Sequence, residues 1–208
     1  NGRVKVPKCM HEPYKKAYSL GWSSIRSPRE YGGMGAPSIL ALIVNEAMTG
    51  GNLCLTMCFG LTAGAANLIY TFGSDYLKKT YLSKMFKGHY TGTMCLSEPH
   101  AGSDVGAGKT SAISLGDGVY KIKGSKCWIS SGDNDLGDNV VHAVLARVDG
   151  APEGAKGLSL FIVPHTRVKE DGSLGKWNDV TVVSIEEKMG IHGSPTTVLN
   201  FGEHNDCL

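Results

Sequence analysis

The sequence predicts an α+β fold, with an all-helical N-terminal domain over residues 1–90 and an antiparallel β-barrel or sandwich over residues 91–208. Three observations predict it. Residues 47–74 carry no charged side chain, the mark of a helix buried on most sides. From Tyr90 the apolar pattern changes to short β-type runs separated by turn residues. The charge balance changes with it: eleven Lys/Arg against four Asp/Glu up to Thr93, then ten against fifteen from Met94 onward. A composition shift and a period shift at one place mark a domain boundary near residue 90.

Residues 12–20 form a short helix, which Gly21 ends. The stretch from Ser27 to Gly35 is loop, because Pro28 and the glycines at 32, 33 and 35 forbid regular structure. Pro37 opens a helix that runs through Glu46 and stops at Gly50-Gly51. The next helix spans about Leu53 to Thr71, and Gly73-Ser74-Asp75 supplies a stop and a fresh cap for another through Lys84. The uncharged run is long enough to invite a transmembrane reading. Gly50-Gly51, Asn52, Asn67 and several threonines interrupt it, and no aromatic belt flanks it, so no membrane span is expected. Its Gly60, Ala63, Gly64, Ala65 and Ala66 allow close helix packing or leave room for a ligand chain.

The β-type runs are Tyr90–Ser97, Thr110–Leu115, Val119–Ile122, Cys127–Ser130, Val140–Val148, Leu158–Val163, Val180–Ile185 and Thr196–Phe201. Gly116-Asp117-Gly118 between two of them is a strong hairpin turn. Short strands without intervening helical pattern disfavour a doubly wound sheet.

Composition narrows the function classes. A chain of 208 residues, 41% hydrophobic and 19% charged, buries a real core. A net charge of +2 gives no global case for nucleic acid or an anionic membrane. Glycine is abundant, 28 of 208, without the three-residue period of collagen, and points to tight turns and close backbone approaches. The six cysteines form no zinc quartet and no secretory signal starts the chain, so free, buried thiols and an intracellular setting are expected. Seven histidines include no His-Glu-x-x-His pair, and no metal site is expected.

The stretch Gly102–Thr110 imitates a phosphate-binding loop, but five residues, not four, separate Gly102 from Gly108-Lys109-Thr110, and a strand follows it. Ser103 lacks a nucleophile elbow. Glu98, followed directly by Pro99, reads as structural at a strand end.

The informative segments are Met94–Asp104 and Lys126–Ser130. The first ends a strand at Glu98-Pro99 and turns through small residues, with hydroxyls at Ser97 and Ser103. In the second, alternation puts Trp128 and Ser130 on one face. An indole beside a hydroxyl can hold a planar heteroaromatic, the ring packing on its face and the hydroxyl bonding a ring nitrogen. Composition alone reads Trp128 as core.

With these segments in place, the chain resembles the acyl-CoA dehydrogenase family over nearly all of its length. The matching pieces are Pro28–Gly35, Gly73-Ser74-Asp75, the Ser-Glu-Pro-x-Ala-Gly-Ser-Asp block at 97–104, Gly124–Ser130 and Lys188–Ser194. The segments Asn139–Arg147 and Gly157–Pro164 look most like the larger bacterial-type members.

The resemblance implies a flavoprotein, with FAD held between the β domain and a C-terminal helical bundle. It places the main chain at Met94, Cys95 and Leu96, with the Ser97 hydroxyl, at the pyrimidine side of the flavin. It packs Trp128 on the isoalloxazine, brings Ser130 to the N5 edge, and counts Gly102 and Ile129 among the cofactor contacts. Ser103 falls where flavin and the CoA portion of the substrate meet, so it touches both. Both hydroxyl sites often carry Thr in the family, and His100 stands where Gly is frequent.

The implied reaction is α,β-dehydrogenation of an acyl-CoA thioester to the trans-2-enoyl-CoA. A glutamate removes the α-proton while hydride leaves the β-carbon for flavin N5. That glutamate belongs to the bundle, so the resemblance places the base beyond Leu208 and assigns no catalytic residue here. The expectation is a fragment, its helical part truncated at the start, with weak FAD affinity and no turnover of its own. Electron-transfer flavoprotein is the implied electron acceptor, and the complete protein is expected to be a homodimer or homotetramer. It is expected in the cytoplasm for a bacterial-type member, or in the mitochondrial matrix if eukaryotic.

Two other readings share the framework: an acyl-CoA oxidase or nitroalkane-type oxidase, and a non-catalytic relative that binds nucleic acid or a partner protein. The scattered Lys/Arg of the first half, without aromatic interleaving, argue against nucleic acid. The small-residue run Gly60–Ala66 matches a helix that lines the acyl pocket in the family, which implies a roomy pocket for a longer or bulkier chain.

Overall fold

A computed structural model describes residues 3–208. The first helix, α1 (His11–Ser19), ends where Gly21 adopts φ +76°, a conformation that glycine takes without Cβ strain. Tyr14 of α1 is buried and stacks on Phe59 at 5.5 Å. The Pro28–Gly35 loop folds back on Ser27, whose carbonyl accepts from the Gly35 N–H at 2.9 Å.

Helix α2 (Ser38–Gly51) continues through the two glycines expected to stop it. Asn52 makes the break instead. Its side chain caps α3 (Leu53–Phe72) by accepting from the Leu55 N–H at 3.0 Å, while its own N–H closes α2 on the Met48 carbonyl. Helix α3 is long and apolar enough to cross a membrane, yet Leu55, Cys58, Phe59, Ala65, Ala66 and Ile69 are buried inside the protein. The last helical stretch is α4 (Asp75–Leu77), a π-helical turn (Lys78–Leu82) and α5 (Ser83–Phe86). The Ser74 hydroxyl opens it by accepting from the Leu77 N–H at 3.3 Å.

Among the described residues the nine strands are β1 (Tyr90–Cys95), β2 (Ser111–Gly116), β3 (Val119–Ser130), β4 (Asn139–Val148), β5 (Leu158–Pro164), β6 (Thr166–Val168), β7 (Leu174–Trp177), β8 (Val180–Ile185) and β9 (Thr196–Phe201). Seven of them form one curled sheet, a half-barrel, and β6 pairs with β7 alone.

The expected antiparallel order needs one correction, because the sheet is mixed. β1 runs parallel to β4 along six residue pairs, and the start of β2 joins the same edge of β4 in parallel. The remaining pairings are antiparallel. A parallel pair needs a long crossover, and the β2–β3 hairpin provides it between β1 and β4. The two runs expected at 119–122 and 127–130 are one strand, whose middle residues pair with β9. β6 and β7 are too short and polar to show in the pattern.

Helices and sheet meet at Gly92. A Cβ there would lie 2.8 Å from the Met85 Cε and 2.9 Å from the Ala65 Cβ, so only glycine lets α3 rest on β1. The Gly92 N–H donates to the Thr62 hydroxyl of α3 at 3.0 Å. The sheet core gathers Ile122, Val144, Leu199 and Phe201, all nearly inaccessible. The six cysteines are free, and burial pushes the thiols of Cys58, Cys95 and Cys207 up to about 12, which leaves them inert at neutral pH.

Candidate functional site

β1 ends at Cys95, and the segment that leaves it is pinned from β3. The Lys126 ammonium, fully buried, donates to the Leu96 carbonyl at 3.0 Å and to Glu98 Oε1 at 2.9 Å. The Cys127 N–H donates to the Ser97 carbonyl at 3.0 Å. Glu98 also accepts from the Lys109 N–H at 2.7 Å and the Thr110 N–H at 3.0 Å, which ties down the far end of the loop. Burial raises the Glu98 carboxyl, but hydrogen bonds from Thr110, Lys126 and Lys109 outweigh it and hold the group at about 2. Glu98 is thus a permanent anion with a structural task.

Glu98 and Ala101 exchange two backbone hydrogen bonds at 2.9 and 3.0 Å, forming a tight turn with Pro99 and His100 exposed at its tip. His100 is not among the residues with positive φ, so the turn has no need of the family's frequent glycine. Beyond it Gly102 and Ser103 are exposed, and a Cβ on Gly102 would meet nothing.

Trp128 is one of six non-glycine residues with positive φ among the described residues, and the bulkiest of them. Lys126 pairs with Leu199 and Ile129 with Thr197, so β3 carries one residue more than β9 and bulges between them. The bulge puts Trp128 at φ +56° and leaves it 59% exposed. A large side chain in the left-handed region is strained, and this one gains no core packing in return. The expectation that composition alone gives, a core tryptophan, is therefore wrong. Ile129 turns into the core and Ser130 is half-buried, as the alternation beyond Trp128 requires.

The structure brings Leu96, Ser97 and Glu98 against Lys126 and Cys127, with Trp128 and Ser130 continuing the same strand. Gly102 and Ser103 ride on the pinned turn. The Ser97 N–H and hydroxyl and the Ser130 hydroxyl make no hydrogen bond among the described residues. Cys95 and Ile129 are 0% and 2% exposed and lie buried in the sheet core. Met94 and Leu96 are half-buried. Lys126 is the residue that sequence reasoning passed over. Its signal is a lysine amid strand residues, with two carboxylates, Glu98 and Asp104, in the neighbouring motif.

A second feature lies in the helical part. A cleft of about 540 Å3 opens between α2, α3 and the loop at Trp22–Ser27, lined among others by Ile39, Leu42, Met48, Phe59, Gly60 and Ala63. Cβ atoms on Gly60 and Gly64 would meet open space. Ile39, Leu42 and Ile43 of α2 are 62%, 61% and 58% exposed, an apolar face unmatched by any partner within the described residues.

Residues 3–89 match the family of the acyl-CoA dehydrogenase N-terminal domain, and residues 93–203 that of the acyl-CoA dehydrogenase middle domain. The chain belongs to the acyl-CoA dehydrogenase family. Among acyl-CoA dehydrogenases it is 40% identical to the 3-methylmercaptopropionyl-CoA dehydrogenase of Ruegeria pomeroyi, across 100% of this chain and 37% of that protein. It is 43% identical to a butyryl-CoA dehydrogenase of Syntrophomonas wolfei, across 98% of this chain and 33% of that protein. The chain therefore spans about a third of the length of these curated relatives.

The fold agrees. An acyl-CoA dehydrogenase from Bacillus anthracis complexed with FAD superposes with a TM-score of 0.73 and 29% identity, over 92% of this chain and 30% of that one. A chain from a structure of the electron transferring flavoprotein of Acidaminococcus fermentans superposes with a TM-score of 0.75 and 30% identity, over 94% of this chain and 47% of that one.

Proposed function

We propose that this chain supplies the flavin-holding framework of an FAD-dependent acyl-CoA dehydrogenase, which converts an acyl-CoA thioester to the trans-2-enoyl-CoA. The observation that carries the reading is Trp128, kept strained and exposed beside a turn with unspent hydrogen-bond donors. Strain without packing is the mark of a position kept for a ligand.

The residues present fit the cofactor. The Ser97 N–H and hydroxyl are free to bond the polar edge of the pyrimidine ring, with the main chain at Met94, Cys95 and Leu96 beside them. Trp128 offers a flat apolar surface for the isoalloxazine, and Ser130 a hydroxyl for its N5 edge. Gly102 lets a ligand approach the backbone, and Ser103, exposed next to it, serves the junction of flavin and CoA. When bound, FAD supplies the acceptor for the hydride from the substrate β-carbon.

Glu98 is no candidate for the base, since a carboxyl held at about 2 and locked to Lys126 is a poor proton acceptor. We assign that step to a glutamate outside this chain, and electron-transfer flavoprotein to the role of acceptor. A homodimer or homotetramer, in the cytoplasm of a bacterium or the mitochondrial matrix of a eukaryote, completes the proposal.

The complete protein, assayed with a series of acyl-CoAs and an artificial electron acceptor, is expected to form enoyl-CoA. Residues 1–208 alone are expected to form none, and substantial turnover by them would contradict the assignment of the base. The acyl chain is assigned to the open side of α3. Ala63→Leu or Gly64→Leu should then cut turnover of long acyl chains more than that of short ones. Equal losses at all chain lengths would remove the acyl chain from this face.

A further inference from the structure

Lys126 is among the largest side chains below 2% exposure. Burying an ammonium costs several kcal/mol even when it is paired, and well-packed apolar side chains in place of both Lys126 and Glu98 would serve stability as well. Its placement is therefore informative. Of its three donors, one reaches Glu98 Oε1 at 2.9 Å and one the Leu96 carbonyl at 3.0 Å.

That carbonyl belongs to the same peptide group as the Ser97 N–H. A cation on the oxygen of an amide draws electron density away from its nitrogen, so the N–H becomes a stronger donor. The Ser97 N–H makes no hydrogen bond among the described residues. Glu98 pairs with the same ammonium at 2.9 Å and offsets its charge.

We propose that Lys126 and Glu98 are positioning residues that tune the Leu96–Ser97 peptide toward the flavin. Lys126 strengthens the Ser97 N–H as a donor to the pyrimidine edge, where negative charge accumulates on reduction. Glu98 moderates the field of the ammonium. The inference rests on the FAD reading above and adds two residues to it that do not touch the cofactor.

The test uses the complete protein with FAD bound, as wild type, Lys126→Met and Glu98→Gln. Its readout is the ratio of affinities for reduced and oxidised FAD, taken from the flavin midpoint potential and from FAD titrations. Lys126→Met should weaken reduced relative to oxidised FAD about tenfold, the loss of one charge-assisted bond. Glu98→Gln should shift the ratio the other way, because the ammonium then acts uncompensated.

Both variants lower the melting temperature, so a purely structural ion pair would move both ratios in one direction or neither. Either of those results overturns the proposal. Should Lys126→Met fail to fold, the upward shift in Glu98→Gln decides alone, since loss of fold cannot produce it. Wild-type protein that binds no FAD overturns the functional reading as well. Wild type that binds FAD, with ratios unchanged in the variants, overturns this inference only.

Discussion

Replacing Lys126 with alanine lowers the stability of the protein by about 3–5 kcal/mol at neutral pH, because it strands the Glu98 carboxylate in a buried site. The effect has a sign in pH. The Glu98 carboxyl is depressed from 4.5 to about 2, so its contribution is fully present above 4.5 and fades as pH falls toward about 2. Without Lys126 the carboxyl loses a donor that holds it down and takes up its proton at higher pH. The gap between wild type and Lys126→Ala is therefore largest near pH 7 and narrows below 4.5. Urea unfolding of the two proteins at pH 7 and pH 3 measures it. A gap that is small at pH 7, or that widens in acid, would show that the ion pair does not hold the turn.

Trp128→Gly has the opposite character. In the absence of FAD it raises stability by about 1 kcal/mol, since glycine relieves the strain of φ +56° and an exposed indole leaves no core cavity. FAD affinity is expected to fall at least about tenfold, because the surface proposed for the isoalloxazine is gone. Thermal unfolding of the apoprotein and FAD titration of the same samples give both numbers. A tryptophan that merely packed would lose stability on replacement and leave FAD binding untouched.

These two residues also show where sequence reasoning reaches and where it stops. The hydroxyls at Ser97 and Ser130 and the indole of Trp128 are chemical types, visible in the sequence, and their order along the chain carries the family resemblance. The bulge that exposes Trp128 is different. It depends on the register of β3 against Leu199 and Thr197, some seventy residues away, and no local pattern contains it. Lys126 is hidden for a related reason. A lysine in a strand reads as solvent-facing until the fold brings Glu98 and the Leu96 carbonyl to it.

The fold divides in the same way. Helices α1 and α3 are legible because Gly21 and the uncharged run act locally. The end of α2 is misread because Asn52, not Gly50-Gly51, supplies the competing hydrogen bonds. The parallel pairing of β1 with β4 is a long-range choice, and strand composition does not encode the direction of a neighbour.

We propose above that this chain forms the flavin side of an acyl-CoA dehydrogenase site. The most direct measurement is anaerobic mixing of the complete, FAD-loaded protein with a saturated acyl-CoA, following flavin absorbance. Rapid bleaching of the oxidised-flavin absorbance is expected, with one trans-2-enoyl-CoA formed for each flavin reduced. An FAD-loaded protein whose absorbance is unchanged by every acyl-CoA tested, short or long, would contradict it.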